Sequence, residues 1–405
     1  MYIDGNRKKG TKFSDLIILS LVLLSIISIV VSSFYPESII AKSSSYVIVC
    51  FELLVSAYII FYSNGILKIN IEGFVACIYI VSSFFFTMVN AGYVDAVIAV
   101  FKEYVVIFVC IFLNRGTYSM KRFNFILKII VSFAILSIVF SIVEDNFIGK
   151  IVNLTNVYEA DIKSFFSSKN QFGRFLYLST ICTFFLSTYY TKKSKKRKYV
   201  ALTGILTLAT VLTFSRTSLL AIGMFFCTYY LITSKRNKLK KIMIIFTGLI
   251  IFYIIISIPV ISDYISHFII RKEVGMGSRT DIWAIGLDYI SKHPLIGSGE
   301  FMAEKIINSG GINISEFHNV YIYRMVVSGI PIAMLFILIL IKRFSVIKYN
   351  FENNPIMSCS KAMFISLLVY MFLEQYTIFN FSITGIIVIM FLYVAPNIVD
   401  FNKKE

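Results

Sequence analysis

Two arginines and a histidine are the residues of this chain best suited to chemistry. Arg216 stands in TFSRTS, Arg279 in GMGSRTDIW and His318 in FHNVYIYR. A guanidinium grips phosphate oxygens through a fork of N–H donors and stays charged at any physiological pH. A neutral imidazole accepts a proton from a hydroxyl. By themselves these residue types point to an anion site and a proton acceptor. Spacing predicts that Ser278 caps a short helix running to His293-Pro294, so Arg279 falls in its first turn, where free N–H groups also favour an anion. The bland alternative is a surface arginine, or one paired with Asp281. His318 opens an apolar run whose positive helix end disfavours imidazolium and keeps the ring able to accept a proton; the alternative is an interfacial histidine bonded to backbone. Arg216 lies between two apolar runs with no long loop to carry it into water. Charge at that depth is costly and calls for a partner or a polar cavity, and Glu374 is the candidate partner.

The elements that must position these groups are membrane helices. The chain has 405 residues, 58% hydrophobic and 15% charged, with mean hydropathy +0.80. That excludes a soluble globular domain and a disordered chain. Apolar runs of roughly 17–20 residues recur, long enough at 1.5 Å per residue to cross a hydrocarbon core of about 30 Å. A barrel would show short alternating segments instead. The predicted fold class is therefore an all-α integral membrane protein, one polytopic helical bundle over residues 1–405. Spans are expected near 14–34, 45–63, 73–89, 97–113, 124–143, 172–190, 199–214, 217–233, 242–260, 319–341, 362–379 and 381–397. That makes about twelve, or ten to eleven if the closely spaced pairs do not cross fully.

The net charge of +17 is patterned. Basic residues cluster in alternate short loops: Arg7 to Lys12, Arg115 to Arg122, Lys192–Lys198, Lys235–Lys241, and Lys342 with Arg343. This positive-inside bias predicts cytoplasmic termini and places loops 144–171 and 261–319 outside. The charge is thus topological, and no nucleic-acid partner is expected. Loop 261–319 is the one large extracytoplasmic loop. Within it, Ile282, Trp283, Ile285, Leu287 and Tyr289 suggest an amphipathic helix, and a second is expected over Glu300–Asn308, before Gly310-Gly311. Such helices would lie on the outer face with their apolar sides covering the bundle. His293 reads as helix punctuation, as do Gly297 and Gly299 for the loop. Asn170 and Arg174 lead into the sixth span, where Arg174 either snorkels or walls a polar-ligand site. Glu52, Lys102 and Glu103 are further charges within spans, Glu52 and Lys102 reading as a structural pair. The chain has no Asp-x-Asp triplet, and the acidic residues of the outer loops form no metal cluster, so a reaction without metal or other cofactor is expected.

Four segments taken in order, FFSSKNQFGRFL, TFSRTSLLAI, GSRTDIWAIGLDYISKHPLIGSG and FHNVYIYRMVVSGIPIAMLFILIL, resemble the bacterial O-antigen ligase/polymerase superfamily. The resemblance covers roughly residues 165–340 at motif level and the whole chain at topology level. It implies a GT-C-like bundle in the bacterial inner membrane. It also implies transfer of saccharides from undecaprenyl pyrophosphate at the outer face, with inversion at the anomeric carbon. Carried over, Arg216 and Arg279 would hold the pyrophosphate and His318 would assist the acceptor hydroxyl, making these three the candidate catalytic residues. Arg174, Asn170, Asn319, Arg324 and Glu374 are the candidate substrate-binding residues, with Glu374 or Asp281 as alternative bases. Partners implied are the undecaprenyl-pyrophosphate-linked oligosaccharide, membrane lipid and a chain-length regulator. HPLIGSGEF and the compact FHNVYIYR favour a Wzy-type repeat-unit polymerase over a ligase that transfers finished chains to lipid A-core. A transporter of lipid-linked glycan is the rival from another class, supported chiefly by Lys102 and Glu103. It would be expected to show repeated halves or interrupted spans near the midplane. A membrane scaffold or sensor assigns no role to Arg216.

Overall fold

The structure is a computed structural model that describes residues 4–35, 71–92, 105–114, 116–145, 162–237, 239–241, 277–300, 302–312, 316–348, 354–376 and 382–398, with a few isolated positions besides. Expected spans 45–63 and 242–260, together with Glu52, Lys102, Glu103 and His267, lie outside them. Among the described residues the fold is helical and contains no strand; one isolated parallel bridge joins Tyr118 to Ile398. The helices are α1 (Asp4–Phe34), α2 (Ile71–Ala91), α3 (Val105–Leu113), α4 (Met120–Glu144), α5 (Lys169–Tyr189), α6 (Lys193–Leu212), α7 (Arg216–Thr233), α8 (Gly277–Lys292), α9 (Ala303–Ser309), α10 (Val320–Lys348), α11 (Pro355–Leu373) and α12 (Ile383–Ile389). Six described helices are long and apolar enough to cross a bilayer: those covering Asp15–Phe34, Ile71–Asn90, Met120–Glu144, Arg216–Thr233, Val320–Ile347 and Pro355–Leu373. In a medium without water each such helix satisfies its own backbone groups.

The chain divides into two compact units. One comprises Met1–Ile130, Asp281–Met357 and Met371–Glu405; the other comprises Val131–Thr280 and Ser358–Tyr370. In the second unit α5 is buried on nearly all its faces, as expected of a helix surrounded by neighbours. It starts three residues before the expected Phe172, because Ser168 caps it by accepting a hydrogen bond from Gln171 N at 3.3 Å. Asn170 therefore lies in its first turn and Arg174 in its second. The chain leading into α5 is pinned by Asp145, whose Oδ2 accepts from Lys163 N at 3.1 Å and Ser164 N at 2.7 Å. Phe165 stacks on Phe140 and Phe133, so the end of loop 144–171 is tied into the bundle by aromatic contact.

In the other unit α10 runs along α2, and α10 is broken. Gly329 sits at φ 75° and ψ 164°, two residues ahead of Pro331. Pro331 has no N–H to offer Val327, and its ring would clash with that carbonyl in an unbroken helix. Residues 293–300 supply what the break removes. Ser298 N donates to Val326 O at 2.8 Å and Gly299 N to Val327 O at 2.9 Å, while Ile330 N donates to Pro294 O at 2.9 Å. The approach is backbone on backbone: a Cβ at Gly297 would collide with the Val327 carbonyl, and one at Gly329 with the Leu295 carbonyl. Asn90 and Thr87 of α2 bind the same segment, Asn90 Nδ2 donating to Gly297 O at 2.9 Å and Thr87 Oγ1 accepting from Glu300 N at 3.1 Å. HPLIGSGE is thus an inserted segment that completes a broken helix, and its glycines are close-approach positions instead of loop punctuation. The uninterrupted tenth span expected from sequence is interrupted for the same reason.

The predicted loop helices form with small shifts. α8 begins at Gly277, so Ser278 lies inside the first turn, and α9 covers Ala303–Ser309 before the Gly310-Gly311 turn. Their apolar sides pack against the start of α10: Ile282, Ile290, Ala303 and Ile307 form a core with Phe317, Ile322 and Val326. One charge departs from the expected pattern. Arg343, counted with Lys342 as a loop cation, is fully buried. Its Nε donates to Leu392 O at 2.7 Å, within the π-helical turn Met390–Val394 that follows α12, and its Nη1 to Asn114 Oδ1 at 2.8 Å. A π turn leaves carbonyls that the helix itself does not satisfy, and a buried guanidinium is a suitable donor for one of them.

Candidate functional site

His318 precedes α10 and adopts the left-handed conformation, φ 50°. A non-glycine residue there is strained and has to be held by its surroundings. Asn319 holds one side, its Oδ1 accepting from Tyr321 N at 2.9 Å and Ile322 N at 3.1 Å as the cap of α10. Phe317 holds the other. Its N–H donates to Gln375 Oε1 at 2.8 Å, and its carbonyl accepts from Trp283 Nε1 of α8 at 2.9 Å. The side chain of His318 is 27% exposed, and its Nδ1 lies 3.4 Å from Oε2 of Glu374, whose side chain is 9% exposed.

One turn into α10 a second carboxylate is engaged. Glu300, the last residue of the inserted segment, accepts from Arg324 Nη1 at 2.9 Å through Oε1 and from the Tyr323 hydroxyl through Oε2. Arg324 is 1% exposed. A guanidinium so deeply buried needs a carboxylate opposite it, so this expected substrate-binding residue has a structural task, fastening HPLIGSGE to α10. On the neighbouring helix α8, burial pushes the Tyr289 hydroxyl above its ordinary range, an effect partly offset by a hydrogen bond with Ser298. His293 is exposed at the end of α8 and stacks on the Tyr289 ring at 4.5 Å, which agrees with helix punctuation.

The arginines are placed differently. Arg216 is exposed and is the first residue of α7, after a tight turn through Thr213, Phe214 and Ser215. Phe214 takes φ 54° to make that turn. A Cβ on Gly173 would lie 2.5 Å from the Ser215 Cβ, so α5 rests directly on the turn. Arg174 and Arg216 each follow one of the two residues in this close approach. Two cations on touching segments, one at a helix N-terminus, favour an anion beside them. Asn170, one turn earlier on α5, is half-buried. Arg279 is half-buried in the first turn of α8.

Of the sequence candidates, the structure thus joins His318 with Glu374, and joins the segments carrying Arg174 and Arg216. Sequence reasoning passed over Glu300, Gln375 and the anchoring role of Trp283. Signals existed for two of them: Glu300 is an acid flanked by glycine in an apolar protein, and Trp283 is the sole tryptophan. Gln375 had none beyond its place after Glu374. Among the described residues no group of three His, Cys, Asp or Glu side chains lies together as metal ligands do.

The fold describes an integral membrane protein built of helices. A family model described as Wzy_C, O-Antigen ligase, matches residues 201–337, the stretch that contains Arg216, Arg279 and His318. The match supports the O-antigen ligase/polymerase superfamily, whose members are membrane glycosyltransferase-like enzymes acting on O-antigen. No curated protein matches the chain.

Proposed function

We propose that this chain polymerises undecaprenyl-pyrophosphate-linked oligosaccharide repeat units into O-antigen or capsular polysaccharide at the outer face of the inner membrane, without a metal. The reading is supported chiefly by one observation: the matched segment carries Arg216, Arg279 and His318 in order, and His318 Nδ1 faces a buried carboxylate. In the proposed step the growing chain is the donor. A hydroxyl of the acceptor repeat unit attacks the anomeric carbon, and the bond from that carbon to the pyrophosphate oxygen breaks. The electron pair leaves with undecaprenyl pyrophosphate, whose charge Arg216 and Arg279 neutralise, and the hydroxyl proton passes to His318. Arg174 and Asn170 extend the anion site, and Asn319 orients the helix that carries the base.

The test is an assay of purified protein with undecaprenyl-pyrophosphate-linked repeat units in the presence of a chelator. A ladder of products that disappears in Arg216→Ala and Arg279→Ala supports the reading. The description of the matched family as O-antigen ligase favours a second reading, ligation of finished chains onto lipid A-core. Product formed only when lipid A-core is added would establish that reading. No product with either acceptor would return attention to transport.

A further inference from the structure

Two consecutive residues after α11 grip two consecutive residues before α10. Glu374 faces the His318 ring, and Gln375 accepts from the Phe317 backbone. Trp283 closes the other side of Phe317 and packs edge-on against Phe372, which belongs to α11. The strained φ of 50° at His318 is therefore set by contacts from α8, from α10 and from the end of α11. A carboxylate can only accept. When it faces Nδ1, that nitrogen carries the proton and Nε2 is left with the lone pair.

We infer that Glu374 is the positioning residue of His318: it holds the ring as the Nδ1–H tautomer and directs Nε2 toward the acceptor hydroxyl, while Trp283 and Gln375 fix the backbone that carries the ring. The inference rests on the reading of His318 as the base. It reassigns Glu374, which the sequence offered as a substrate ligand, an alternative base or a partner of Arg216. In the step itself the hydroxyl proton moves to Nε2, giving an imidazolium that Glu374 stabilises through Nδ1–H. Glu374 takes up no proton. After product leaves, Nε2 returns the proton to water. This is the general arrangement in which an orienting carboxylate sets a base in one tautomer.

Two readouts test it, and the first needs no activity. The chain has three histidines, so protein labelled with ¹⁵N-histidine in nanodiscs gives three ring patterns in two-bond ¹H–¹⁵N correlation spectra, with His318 assigned by its loss in His318→Ala. Recorded where the ring is neutral, His318 is expected to show the Nδ1–H pattern. Glu374→Ala should shift it toward Nε2–H, and Glu374→Asp should retain it in part. An unchanged thermal melt in nanodiscs confirms that the variants are folded. The second readout is turnover with lipid-linked repeat units. Glu374→Ala should lower kcat by about 10²-fold or more with KM within about twofold, and Glu374→Asp should recover part of the loss. A wild-type Nε2–H pattern would overturn the inference, as would a raised KM at unchanged kcat, which would make Glu374 a substrate ligand. If the tautomer depends on Glu374 and no glycan is transferred to either acceptor, the dyad stands and the proposed function fails.

Discussion

Two helices in the matched segment, α7 and α10, begin alike and are used in opposite ways. Each follows a left-handed residue that is not glycine, Phe214 at φ 54° and His318 at φ 50°, and then a capping residue, Ser215 or Asn319. At α7 the left-handed residue is a buried phenylalanine, and the polar group comes afterwards as an exposed arginine. At α10 the left-handed residue is itself the polar group, and the arginine that follows is buried against Glu300. A base has to present one lone pair in one direction, so its backbone and ring are both fixed. A cation that receives a diffuse anion needs charge and reach, so fixing its backbone is enough. The same turn thus carries a ring that faces a buried carboxylate in one place and an exposed guanidinium in the other.

The comparison can be broken most severely at His318. His318→Ala is expected to cut kcat by about 10²–10⁴-fold, measured as loss of the product ladder, and to change the melting temperature little. The reverse is expected at Glu300. Glu300→Ala strands the Arg324 charge in the interior and should cost about 3–5 kcal/mol of stability. Adding Arg324→Leu should recover much of that, and thermal melts in nanodiscs would show both. A failure of the double variant to recover would mean that Arg324 has another essential contact.

Smaller changes sharpen the contrast between the two caps. Asn319 makes two cap bonds, so Asn319→Ala should cost about 1 kcal/mol. Ser215 makes no side-chain cap bond to α7, although its hydroxyl shares a hydrogen bond with the buried Ser218 hydroxyl at 2.8 Å. In a Ser218→Ala background, where that pair is already gone, Ser215→Ala should therefore cost less than about 0.5 kcal/mol. Equal losses in the melts would remove the distinction. Arg216→Ala should likewise leave stability within about 0.5 kcal/mol while abolishing the ladder. That outcome would identify it as a residue kept for substrate.

Much of the helical layout was legible because apolar length and flanking charge are local properties of the chain. The loop helices were legible from spacing, to within two residues at Gly277 and three at Ala303. The break in α10 was half visible: Gly329 and Pro331 mark a weak point in any sequence, but nothing near them names the partner. That partner lies some thirty residues earlier, and it fits because Gly297 has no side chain where Val327 approaches. Arg343 misled for a related reason. By position it is an ordinary loop cation, and only the fold brings the Leu392 carbonyl of the π turn, Asn114 and the buried Glu72 carboxylate around it.

Composition and order alone determined that this chain is a membrane-embedded helical protein with two arginines and a histidine in the order of the superfamily it resembles. Those conclusions need only hydropathy, charge pattern and motif order, all of which are carried by neighbouring residues. Only the tertiary structure decided which polar groups face one another: His318 with Glu374, Arg324 with Glu300, and a glycine loop with a broken helix. In an apolar interior every buried polar group must find a partner, and those partners come from segments far apart in the chain.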